Sequence, residues 1–163
     1  MDEKLNRSDI RSDPSDGLVK DGVPLELTLQ VSQVSSTGCI PLKGALVDIW
    51  HCDALGIYSD VQDRSFDTRG KKFLRGYQVT DANGTVQFVT SYPGWYPGRT
   101  VHVHFKVRTE ATSGRYEFTS QLYFDDAITD RVQTQVPYAS KGQRLLKNPE
   151  DGIFKDGGDQ LLL

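Results

Sequence analysis

The sequence contains no uninterrupted apolar run near the roughly 20 residues that a membrane-spanning helix requires, so no membrane partner is expected. No apolar stretch follows Met1 either, which argues against an intact secretory leader and leaves the compartment open. Positive charge is not in excess: 19 Lys and Arg stand against 22 Asp and Glu, for a net charge of -3. Such a chain offers no field to collect phosphates, so nucleic acid is not an expected partner. Cysteine is scarce. Cys39 and Cys52 are too few for a disulfide scaffold and lack the spacing of a metal motif, so one bridge between them and two free thiols both fit. Only three histidines are present, and two of them, His102 and His104, are neighbours on one side of an alternating segment.

With 163 residues, 37% hydrophobic and 25% charged, the chain can bury one core and is read as one main domain. Residues 1–22 are dominated by Asp, Arg, Lys, Ser and Gly and are expected to form an exposed polar arm with little regular structure. From Leu25 the pattern alternates: Leu25, Leu27, Leu29 and Val31 are separated by Glu26, Thr28 and Gln30, the period of a strand with one buried face. Further strands are read at Ala45 to Trp50, Tyr77 to Thr80, Thr85 to Thr90, Thr100 to Val107 and Tyr116 to Phe124. The segment Asp81-Ala82-Asn83-Gly84 between two of them reads as a hairpin turn. Asp126 to Val132 and Tyr138 to Leu146 read as short helical turns. Residues 23–146 thus make an all-β domain, an antiparallel β-sandwich with long loops and little helix. Residues 147–163, with Pro149, Gly152, Gly157 and Gly158, are expected to wrap its surface.

Strand parity sorts Thr100 to Val107 cleanly. Val101, Val103, Phe105 and Val107 take one face, and His102, His104 and Lys106 take the other. Two imidazoles so placed stand roughly 7 Å apart, near enough for their nitrogens to converge on one ion. The loop Tyr92 to Arg99 that leads into this strand holds two prolines, two glycines and three aromatic side chains, a stiff segment beside the pair. A phenol there is ordinarily a packing group, but beside two imidazoles it can ionise and serve as a hard oxygen donor to a trivalent metal. Tyr58 sits in a second turn at a strand end. His51 reads as a hydrogen-bonded structural histidine, and Asp48 and Asp53 as surface groups or caps.

Several motifs occur together in order: Pro41-Leu42-Lys43-Gly44-Ala45-Leu46-Val47-Asp48-Ile49-Trp50-His51-Cys52-Asp53-Ala54, Gly56-Ile57-Tyr58-Ser59, Phe73-Leu74-Arg75-Gly76, Thr80-Asp81-Ala82-Asn83-Gly84 and Pro93-Gly94-Trp95-Tyr96-Pro97-Gly98-Arg99-Thr100-Val101-His102-Val103-His104-Phe105. Over residues 24–125 this set resembles the intradiol ring-cleavage dioxygenases, and most of all their short forms. Residues 1–22 supply no dimerisation helix, so the dimer mode of the long catechol dioxygenases is not expected, and the oligomeric state stays open. The pair Cys39 and Cys52 also resembles one found in secreted short forms, so a disulfide and two free buried thiols stand side by side as expectations.

The resemblance implies a non-haem Fe(III) held by Tyr58, Tyr96, His102 and His104. In the family, the tyrosine at the position of Tyr96 leaves the metal when substrate binds. Two phenolates with a solvent hydroxide balance the three charges of Fe(III). Arg99 matches an arginine that stabilises negative charge on the substrate ring, and Gln121 a glutamine that lines the site. The implied reaction takes a catechol and O2 to a cis,cis-muconate-type product that keeps both oxygen atoms. Two other readings stand beside it. One is a non-catalytic transthyretin-like or carbohydrate-binding sandwich, and the other is a zinc or copper site on His102 and His104, for which two tyrosines are unusual partners.

Overall fold

The computed structural model describes residues 5–36, 38–111 and 114–163. Eight strands are present: β1 (Pro24–Gln30), β2 (Ser32–Ser35), β3 (Gly38–Pro41), β4 (Leu46–Trp50), β5 (Arg75–Val79), β6 (Thr85–Ser91), β7 (His102–Ala111) and β8 (Gly114–Tyr123). One helix, α1 (Asp126–Gln133), follows them. A four-stranded antiparallel sheet in the order β5-β4-β7-β8 packs against the antiparallel pair β1-β6. The β2-β3 hairpin forms a third, small sheet.

Alternation decides what lies between the layers. Leu27 on β1 and Val86 and Phe88 on β6 meet Val47 and Ile49 on β4, Val103 on β7 and Leu122 on β8 in one buried cluster. The expected all-β sandwich is therefore present, held by side chains at every second position. Helix α1 covers almost the expected range. Asp125 caps it by accepting hydrogen bonds from the backbone N–H groups of Ala127 and Ile128. The second expected helical turn shrinks to a 3-10 turn at Tyr138–Lys141, which ends at Gly142, a residue with φ +80°.

Two expectations change together. The Asp81–Gly84 turn forms, with Gly84 N–H donating to Asp81 O at 3.1 Å, but β5 and β6 do not pair as a hairpin and belong to different sheets. The N-terminal segment occupies the space between them. Arg7 N–H donates to Tyr77 O on β5, while Val89 N–H on β6 donates to Ser8 O and Ile10 N–H to Val89 O. Ile10 is completely buried, and the Asp13 carboxylate accepts from the backbone N–H groups of Lys72 and Phe73. The exposed arm expected over residues 1–22 is thus, from Leu5 onward, partly a wedge between two sheet edges; residues 1–4 lie outside the described residues. The physical reason is the unpaired edge that each sheet would otherwise expose.

The C-terminal residues pack on β8. Phe154 sets its ring edge-on against Tyr123 with centroids 5.0 Å apart, and Leu163 N–H donates to Tyr123 O at 2.9 Å.

Candidate metal centre

Strand parity turns His102 and His104 to the outer face of the four-stranded sheet, opposite Val103 in the core. A bare sheet face is wet, yet His102 is only 2% exposed because loops close over it. Cross-strand register sets Arg75, Trp50, His104 and Gln121 in one row across β5, β4, β7 and β8. The Trp50 indole stacks on the His104 imidazole, centroids 4.9 Å apart and planes 3° from parallel, and so fixes that ring.

Two loops bring the phenols. In the first, the Asp53 carboxylate accepts from the N–H groups of Leu55 and Ile57 and pairs with Lys20, curling the chain toward Tyr58. Thr68 Oγ1 then donates to Tyr58 O, and the Arg75 guanidinium donates to both Oγ and O of Ser59. In the second, Gly94 N–H donates to Asp53 O at 3.0 Å. A Cβ at Gly94 would stand 2.3 Å from Ala54 O, so this close approach of the loops requires glycine.

Four polar atoms meet as a result. His102 Nε2 lies 3.4 Å from Tyr58 Oη, 3.2 Å from Tyr96 Oη and 3.1 Å from His104 Nε2. Donors bonded at about 2 Å to one ion with ordinary angles stand about 2.8 to 3.5 Å apart, which is the spacing here. His102 Nδ1 lies 2.7 Å from Thr100 O, so it carries the proton and leaves Nε2 with a lone pair aimed at the centre. Burial holds the His102 imidazolium pKa down to about 4 and that of His104 to about 3, so both rings are neutral at pH 7. Burial also raises the Tyr58 and Tyr96 phenols above their ordinary range. A cation among them would reverse that shift, because it stabilises the phenolate. Among the described residues no group of three or more His, Cys, Asp or Glu comes together, and here phenols complete the donor set. Two neutral imidazoles and two phenols at this spacing fit a hard trivalent ion.

Arg99 closes one side. Its Nη2 donates to Gln121 Oε1 at 2.5 Å and its Nε to Asp151 Oδ2 at 2.8 Å, while Tyr123 Oη donates to the same Gln121 oxygen at 2.9 Å. Burial opposes the Arg99 charge, but Asp151 outweighs it and holds the guanidinium pKa above its usual value. The charge is felt at the centre: it favours the ionised form of Tyr58 and Tyr96 and the neutral form of His102 and His104. On the other side, a cavity of about 780 Å³ opens beside Tyr58 and Tyr96, bounded in part by Ile57, Val61 and Phe66.

The remaining candidates lie elsewhere. His51 is fully buried with Nδ1 2.8 Å from Cys52 O and Nε2 2.7 Å from Thr90 Oγ1, so both nitrogens are engaged. Asp48 pairs with Arg108 at 2.8 Å. Of the two readings for Cys39 and Cys52 the structure has the free thiols, with Cys52 buried and donating to Gly94 O but Cys39 exposed on β3 rather than buried. Burial pushes the Cys52 thiol up to about 12. Asp151 and the Trp50 stack escaped sequence reasoning. The signal for Trp50 was available in its strand parity, whereas nothing in Asn148-Pro149-Glu150-Asp151-Gly152 points to Arg99.

A profile of the family Dioxygenase_C, described as Dioxygenase, matches residues 6–151. This chain belongs to the intradiol ring-cleavage dioxygenases. An intradiol ring-cleavage dioxygenase from Tetranychus urticae superimposes with a TM-score of 0.81 at 36% identity, covering 99% of this chain and 78% of that one. The protocatechuate 3,4-dioxygenase beta chain of Burkholderia cepacia is 32% identical over 115 residues, 65% of this chain and 48% of that protein. Catechol 1,2-dioxygenase of Candida albicans is 30% identical over 144 residues, 76% of this chain and 45% of that protein. The chain spans about half the length of these two curated relatives or less. The family match reaches past the expected boundaries at residues 23 and 146 on both sides.

Proposed function

We propose that this dioxygenase-family chain cleaves the ring of a catechol-type diol between its two hydroxyl-bearing carbons, using O2 and a ferric ion held by Tyr58, Tyr96, His102 and His104. The observation that carries the reading is the meeting of two phenol oxygens and the His104 imidazole nitrogen within 3.4 Å of His102 Nε2. When bound, ferric iron supplies Lewis acidity toward both diol oxygens and a path for ring electron density toward O2.

The protein residues prepare and steer that chemistry. Tyr58 and His102, the more deeply buried pair of ligands, keep the centre in place. Tyr96 lines the cavity beside the centre, so its phenolate oxygen would be placed to take one of the two diol protons. Arg99 holds a positive charge beside the ring and stabilises its anionic form, with Gln121 and Asp151 fixing the direction of the guanidinium. The loops exclude water from His102, and the Trp50 indole covers one face of the His104 ring. Both oxygen atoms then enter a cis,cis-muconate-type product.

The test is spectroscopic and then kinetic. Iron-loaded protein is expected to be burgundy from phenolate-to-iron charge transfer, and to take up O2 with some member of a panel of catechol, hydroxyquinol and protocatechuate. Tyr96→Phe should alter the visible band and lower turnover by about 100-fold or more, the scale of a lost proton-transfer group, with folding retained. A colourless iron-loaded protein, or unchanged turnover in Tyr96→Phe, would refute the reading. Elemental analysis that finds zinc or copper in place of iron would favour the corresponding metal site.

A further inference from the structure

We propose that Lys141 is the positioning residue that sets the separation of the two tyrosine oxygens, by clamping together the loops that carry Tyr58 and Tyr96. The inference rests on the ligand assignment proposed above and concerns a residue outside it. Lys141 Nζ donates to Leu55 O at 2.5 Å and to Trp95 O at 2.6 Å. Leu55 stands three residues before Tyr58, and the Trp95 carbonyl belongs to the peptide that leads directly into Tyr96. One ammonium therefore ties both loops just upstream of their phenols, with Nζ also 4.7 Å from the centroid of the Trp95 ring. Among the described residues Lys141 makes no ion pair, so its charge is directed at these two carbonyls.

The space at the joint points the same way. Gly56, at φ +79°, lies where a Cβ would stand 2.2 Å from Trp95 O and 2.4 Å from Lys141 Nζ. No side chain other than hydrogen fits there, and the two loops and the ammonium meet at that point.

The lysine itself is braced. It ends the 3-10 turn Tyr138–Lys141, in which fully buried Tyr138 donates through Oη to Tyr92 O at 2.7 Å and accepts from Val23 N–H at 2.9 Å. Trp95 Nε1 donates to Gly142 O at 3.1 Å. The turn thus grips the aromatic loop at Tyr92 and again at Trp95, and Lys141 carries that grip across to the Tyr58 loop. Fixing both carbonyls fixes two peptide planes, and through them the Tyr58–Tyr96 ring separation of 5.6 Å.

The test compares iron-loaded wild type with Lys141→Met, which keeps a stem over Trp95 and removes both donors, and with Lys141→Arg, which restores them. Lys141→Met should shift the visible phenolate band and weaken iron binding, read by chelator competition, by about 10- to 100-fold, the usual effect of removing a group that orients metal ligands. Lys141→Arg should recover most of both. If Lys141→Met fails to fold, Lys141→Gln, whose amide keeps N–H donors on a shorter uncharged stem, should give an intermediate shift. A wild-type band position and iron affinity in the Met or Gln variant overturns the proposal, even if thermal stability falls. A wild type that shows no phenolate band on iron loading overturns the ligand assignment itself, and the clamp with it.

Discussion

Asp151 accepts four hydrogen bonds, from Arg99 Nε and from the backbone N–H groups of Thr100, Ile153 and Phe154, with its side chain wholly buried. Burial alone would raise its pKa, but these donors outweigh it and hold the carboxyl below its usual range. The expected consequence is specific. Asp151→Asn keeps a carbonyl oxygen for Arg99 and Thr100 but turns its NH2 toward the Ile153 and Phe154 N–H groups and removes the charge that orients Arg99, so turnover should fall by about 10- to 100-fold, the scale of a charge-assisted hydrogen bond, with some loss of stability. Iron content should stay at the wild-type level, measured by elemental analysis beside oxygen uptake. His102 and His104 were legible as a pair because parity alone puts alternate residues on one face. Arg99 and Gln121 were legible only through family resemblance. Asp151 was not legible, since its contact with Arg99 crosses 52 residues and leaves no trace in local pattern.

Elements were legible wherever one face is buried and the other is not. The leucines of β1 and the His-x-His strand announce themselves, and Asp125 marks the start of α1. The β2-β3 hairpin was missed because it is exposed on almost every residue, and without a buried face there is no alternation to read. The Asp81–Gly84 turn was seen, but the partners of the strands it joins were not. Turn chemistry is local, whereas pairing depends on what competes for the edge, and here residues 6–10 bridge β5 and β6. Ile10 anchors that wedge. Ile10→Ala should cost about 2 to 5 kcal/mol by leaving a cavity between the sheets, read as a lower midpoint in urea unfolding. An unchanged midpoint would mean that the wedge contributes little.

At the scale of the whole molecule, His51 and His102 are buried and His104 half-buried, all in neutral form, with pKa values near 4 for His51 and His102 and near 3 for His104. An unfolded histidine titrates near 6.5, so below that pH the unfolded state binds more protons than the folded one. Stability of the iron-free protein is therefore expected to be level between about pH 7 and pH 8 and to fall as pH drops from 6.5 toward 4, with His51 alone contributing up to about 3 kcal/mol. A further loss should follow below pH 4. Burial works against the Asp13 carboxylate, but hydrogen bonds from Ser15, Lys72 and Phe73 outweigh it and hold it at about 2, so its contribution disappears as pH falls through that value. Urea midpoints measured from pH 8 to pH 2 check this; a flat profile between pH 6.5 and 4 would contradict neutral burial of the histidines.

Local chain geometry was enough to determine which residues alternate, where a helix is capped, and that two imidazoles share a face, because each depends on neighbours within a few positions. Tertiary structure decided the rest: which sheet each strand joins, that the polar N-terminal segment becomes a seam, that the cysteines stay apart, and that two loops bring phenols within 3.4 Å of His102. Those outcomes rest on contacts between distant segments competing for the same edges and the same buried volume. No single stretch of sequence holds that balance.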